Sequence, residues 1–87
     1  MSLNTYRKQI DSIDDELLRL FKERMENSRL VALYKKEHNL PVLNAERENE
    51  ILNTVVEKTE DELQPYTLKL YTTILELSRK YQEEIIT

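Results

Sequence analysis

A chain of 87 residues with 34% charged side chains and a net charge of −4 is one small domain, and its charge balance argues against nucleic acid as a default partner. It has no cysteine and one histidine, His38, which excludes a disulfide staple, a thiolate metal site and a multi-histidine metal site within one chain. No stretch approaches the roughly 20 apolar residues of a membrane span, and "MSLNTYRKQIDSIDD" lacks the apolar core of a secretory signal, so the cytoplasm is the expected compartment.

There is no glycine, and the only prolines are Pro41 and Pro65. These breakers divide the chain into three segments, none with sustained strand-like alternation, so the expected class is all-α. The first helix is predicted over residues 5–38. Ser2 or Asn4 can cap its start. "HNLP" ends it, because Asn39 tolerates the left-handed conformation and Pro41 cannot continue a helix. The second is predicted over 44–59, with Asn44 as N-cap, Glu46 and Glu48 suiting the helix dipole, and an apolar face of Ile51, Leu52, Val55 and Val56. The third is predicted over 62–86, with Pro65 in its first turn. Leu70, Tyr71, Ile74, Leu75, Leu77, Tyr81 and Ile85 form its apolar set.

A helix of about 34 residues is about 51 Å long. A compact chain of this size has a radius of gyration near 12 Å and is only about 30 Å across. The first helix therefore overshoots its own domain. This predicts an intertwined homodimer built around two long helices.

The apolar stripe of that helix runs Tyr6, Ile10, Ile13, Leu17, Leu20. It then continues onto Arg24, Ser28, Val31 and Lys35. Three other cations have acidic neighbours three or four residues away: Lys22 and Arg29 have Glu26, and Arg19 has Asp15, Glu16 and Glu23. Such pairs are ordinary surface features worth about 0.2–0.5 kcal/mol each. Arg24 and Lys35 have no acidic partner on their own helix. The other segments repeat the pattern. Arg47 and Glu48 lie one turn before Ile51 and Leu52, while Ser78 and Gln82 interrupt the stripe Tyr71, Ile74, Tyr81, Ile85.

Polar groups buried without partners cost several kcal/mol. The cations could snorkel, with stems on the core and charges in water, and Glu48 could pair with Arg24 or Lys35 across helices. One glutamate cannot neutralise Arg24, Lys35 and Arg47 together. The excess argues for a bound ligand with more than one negative group and further polar groups for Ser78, Gln82 and Glu48. No nucleophile with an adjacent base, metal set or glycine-rich phosphate loop is present. His38 reads as a surface residue at a helix end. Such a pocket suits binding alone, or a reaction that needs only positioning and electrostatic stabilisation.

The pieces "YRKQIDSIDDELLRLFKER", the lysine of "VALYKKEHNLPV", the "ERE" of Glu46 to Glu48 and "SRKYQ" together resemble the all-helical class of chorismate mutases over nearly the whole chain. The resemblance implies small three-helix chains in an interlocked dimer. It implies the rearrangement of chorismate to prephenate in phenylalanine and tyrosine biosynthesis, with no cofactor. It assigns Arg24, Lys35, Arg47, Glu48, Ser78 and Gln82 to a pocket supplied by one chain, and Arg7 to the partner chain's pocket. Arginines and the serine would hold the two carboxylates, Lys35 and Gln82 would approach the ether oxygen, and Glu48 would take the ring hydroxyl. Asn44 stands where an aspartate is expected, and is carried as a secondary contact. An isochorismate-pyruvate lyase would share the fold and much of the pocket. A structural dimerisation bundle with a polar core layer is the alternative of a different class.

Overall fold

The computed structural model describes residues 1–87. It is all-α: α1 spans Leu3–Glu37, α2 spans Ala45–Glu57 and α3 spans Gln64–Ile86, with a 3-10 turn at Asp61–Leu63 leading into α3. No helix is long and apolar enough to cross a membrane.

The ends follow from local chemistry. The Ser2 side chain accepts from the Thr5 N–H at 3.2 Å, so α1 begins two residues earlier than the periodicity indicates. At its other end Asn39 takes φ 55°. The Leu40 N–H then bonds the Lys35 carbonyl at 2.8 Å and the Asn39 N–H bonds Lys36 at 3.4 Å. That double closure satisfies carbonyls that a helix end otherwise leaves open, and it turns the chain back beside Lys35. Asn44 caps α2 by accepting from the Arg47 N–H at 3.1 Å. The link to α3 is tied by Gln64, whose amide donates to the Val56 and Thr59 carbonyls, both at 3.1 Å. Pro65 sits in the first turn of α3, where its missing N–H costs nothing.

α3 packs against both α1 and α2, which do not pack on each other. The result is elongated, 55 × 26 × 15 Å with a radius of gyration of 16.1 Å, against about 12 Å for a compact chain of this length. α1 alone is about 52 Å long at 1.5 Å per residue, so it sets the long axis. The chain exposes 7095 Å², whereas a folded 10.5 kDa monomer is expected to expose about 5,400 Å². The N-terminal stripe of α1 is part of that exposed surface: Tyr6, Ile10, Ile13 and Leu17 are each more than half exposed. Beside it, an open apolar hollow runs between α1 and α3, lined by Leu17, Leu20, Phe21, Leu70, Ile74 and Leu77 among others. Only Ala32, Leu75, Ser28, Ser78 and Gln82 are buried. Three of these are polar, so the best-covered place in the chain is a polar one.

Candidate active site

That place is a cavity of about 350 Å³ bounded by all three helices and the α1–α2 connection. α1 contributes Arg24, Asn27, Val31 and Lys35, which recur at three- and four-residue steps and so share one helix face. α2 contributes Arg47, Glu48 and Ile51, and α3 contributes Leu75, Ser78, Arg79 and Gln82 on the same spacing. Val42 and Asn44 of the connection close one side. Arg24, Lys35, Arg47, Glu48, Asn44, Ser78 and Gln82 are thus brought together.

Lys35 is the centre of the polar contacts. Its ammonium donates to the Val42 carbonyl at 2.6 Å and to Gln82 Oε1 at 3.0 Å. An ammonium has three donors, so one remains. Burial pushes Lys35 below the ordinary lysine range, and the nearby Glu48 carboxylate pulls it partly back. Lysine cannot accept, so the Gln82 atom facing it is the carbonyl oxygen. The Gln82 amide nitrogen donates to Ser78 Oγ at 3.1 Å, and Ser78 Oγ lies 2.7 Å from Ser28 Oγ.

Glu48 pairs with neither Arg24 nor Lys35. Its Oε1 accepts from the Arg79 guanidinium on α3, with both side chains largely covered. Arg79 is the cavity residue that sequence reasoning passed over. Glu76 and Glu83 stand three and four residues from it, so it reads as an ordinary surface cation. Asn27 was missed as well, and its amide is held by the Glu23 carbonyl at 3.0 Å.

Arg24 makes no ion pair within the chain, as its lack of an acidic helix neighbour indicates. Arg47 lines the cavity at its rim, with a side chain 60% exposed and its guanidinium on Glu50 at 2.6 Å. Asn44 lines the cavity while its oxygen caps α2. Arg7 is exposed near the start of α1 and does not line the cavity. It precedes Arg24 by 17 residues, about 25 Å along the helix.

The surface pairs of Arg19 with Glu16 and Glu23, and of Arg29 with Glu26, form as read from the sequence. Lys22 does not pair with Glu26, because Arg29 holds that carboxylate at 2.6 Å. His38 is exposed outside the cavity, with Nδ1 2.9 Å from the Tyr34 carbonyl and its ring stacked on Tyr34.

The cavity therefore presents an unpaired guanidinium, an ammonium with a donor in reserve, a hydroxyl, an amide and one carboxylate held from behind. It has no nucleophile poised beside a base. Such an arrangement is chemically suited to holding an anion and to stabilising charge at fixed points.

Residues 6–83 match the family described as chorismate mutase type II. The bifunctional chorismate mutase/prephenate dehydratase of Aquifex aeolicus (strain VF5) is 41% identical over 54 residues, an alignment covering 62% of this chain and 15% of that protein. The alignment thus takes in a small part of that relative's length. No solved structure matches the chain. With the family match running from the first turns of α1 almost to the end of α3, the chain belongs to the chorismate mutase type II family.

Proposed function

We propose that this protein is a cytoplasmic chorismate mutase, an isomerase converting chorismate to prephenate, and that it works as an intertwined homodimer without a cofactor. The observation that carries the reading is the donor set around Lys35, a cation with one N–H in reserve, in a cavity that also holds an unpaired Arg24 and no nucleophile–base pair.

The reaction is an intramolecular Claisen rearrangement. It needs no acid, base or nucleophile. The carbon–oxygen bond breaks ahead of carbon–carbon bond formation, so negative charge builds on the ether oxygen. The remaining Lys35 N–H and the second amide hydrogen of Gln82 are the donors for that oxygen. They would hold the transition state more tightly than the substrate, which is the condition for raising the rate. Arg24, Ser78 and Arg47 bind the two carboxylates, Arg47 exchanging Glu50 for the ligand. Holding both ends folds the enolpyruvyl arm over the ring, a proximity effect. Glu48, fixed on one oxygen by Arg79, offers its other oxygen to the ring hydroxyl. Asn44 remains a cap and a secondary contact.

Arg7 would complete the site of the neighbouring copy. Its distance from its own cavity supports this, as do the uncovered stripe beside it and the excess surface of about 1,700 Å² over a compact monomer.

Incubation with chorismate followed by identification of the product tests the reading. Prephenate without pyruvate is the expected result. Pyruvate from isochorismate with no turnover of chorismate would replace the mutase with a lyase. No turnover of either, with Arg24→Ala at least as stable as wild type, would leave a structural bundle.

A further inference from the structure

Ser28 is the buried polar residue of α1, and the proposed reaction leaves it without a task. It is buried, does not line the cavity, and lies 2.7 Å from the Oγ of Ser78, which does line it. A hydroxyl carries one hydrogen and two lone pairs, and counting them decides the direction of this contact. Ser78 already accepts from Gln82 Nε2 at 3.1 Å. That direction is set by Lys35, which faces the Gln82 carbonyl oxygen and leaves the amide nitrogen for Ser78.

The two serines have two hydroxyl hydrogens, and only one fits between them. If Ser78 donated, the Ser28 hydrogen would need another acceptor. Ser28 has no other hydrogen-bond partner, whereas Thr59 and Thr73 turn back to the carbonyls four residues earlier, Val55 and Lys69. A buried donor left without an acceptor is costly. If Ser28 donates, its hydrogen is used and both lone pairs of Ser78 are occupied. The Ser78 hydrogen then has only the cavity to point into.

We propose that Ser28 is a positioning residue: by donating to Ser78 Oγ it holds Ser78 as a hydrogen-bond donor facing a carboxylate of the ligand. Without it, Ser78 has a free lone pair and rotates, and a lone pair turned toward a carboxylate repels it. The inference rests on the reading of the cavity as a site for a dianionic substrate.

Ser28→Ala in the full chain, assayed with chorismate, tests it. The carboxylate is present in substrate and transition state alike, so the loss should fall on KM with kcat little changed. KM should rise about three- to tenfold, the effect of one net hydrogen bond. The melting temperature should hold or rise, because alanine favours the helix more than serine does. Ser28→Cys, of similar size but a weak donor, should raise KM in the same direction. In a Ser78→Ala background, Ser28→Ala should change KM no further. A purely structural Ser28 gives the opposite result: a lower melting temperature with KM unchanged. Unchanged KM in both single variants, or full additivity with Ser78→Ala, overturns the proposal. If wild type does not turn over chorismate, the reaction is what fails, and the same comparison is read as Kd for prephenate. Absence of prephenate binding by wild type then overturns both.

Discussion

From Tyr6 to Leu17 the stripe of α1 is apolar, yet each of its members is more than half exposed. From Arg24 to Lys35 the same stripe turns polar, yet it carries buried Ser28 and half-buried Arg24 and Lys35. The two halves invert the usual rule that apolar residues are covered and polar ones are not. Each inversion names something that completes the chain. An uncovered apolar stripe on a helix as long as the molecule asks for more protein. A covered polar stripe asks for partners of opposite charge, and the single cavity carboxylate, Glu48, is already taken by Arg79.

The apolar half is most vulnerable at Leu17, which is 58% exposed. Covering a leucine is worth about 1.5–3 kcal/mol, and a symmetric dimer would cover two. Leu17→Glu should therefore weaken the dimer by about 10²- to 10⁴-fold, seen by sedimentation as a shift to monomer with loss of activity at low concentration. Unchanged mass with unchanged activity would show that the apolar half is not an interface.

In the polar half, Lys35→Ala should lower kcat about a hundred- to a thousandfold, the usual cost of removing one donor from developing charge. Its melting temperature should hold or rise. Burial depresses the Lys35 pKa, so at neutral pH the folded state carries a desolvated charge that alanine removes. For the same reason wild-type kcat/KM, which follows the free enzyme, should fall as pH rises through a pKa below the ordinary lysine value, since only the ammonium form can donate to the ether oxygen in the proposed reaction. A large drop in melting temperature for Lys35→Ala would mean that the polar half is a structural network instead.

The smallest of these effects belongs to Arg79→Met, which leaves Glu48 without its holder. KM should rise about tenfold, near the lower end for a hydrogen bond to a charged group, and the loss should vanish in a Glu48→Gln background. Retention of wild-type KM would show that Arg79 serves only to pair charge on α3.

Much of this was legible locally. Two prolines, no glycine and the caps Ser2 and Asn44 set three helices, because breakers and caps act within a few residues. The unpaired state of Arg24 and Lys35 was also visible, since the neighbours that could answer them lie three or four positions away. The same short-range pattern gave no partner for Glu48 and hid Arg79. Arg79 has glutamates at helical spacing on α3, but its carboxylate comes from α2.

The set of helices, the excess length of α1 and the polar positions on each inward face all follow from short-range periodicity in the chain. Which of those positions meet is settled only when the helices pack. Ser28 reaches Ser78 across 50 positions, Lys35 reaches Gln82 across 47 and Glu48 reaches Arg79 across 31. Periodicity specifies a face but not which face it meets or at what height. Those depend on how far each helix is rotated and slid against α3, and here on the double closure after Lys35 that turns the chain back and brings the Val42 carbonyl onto its ammonium.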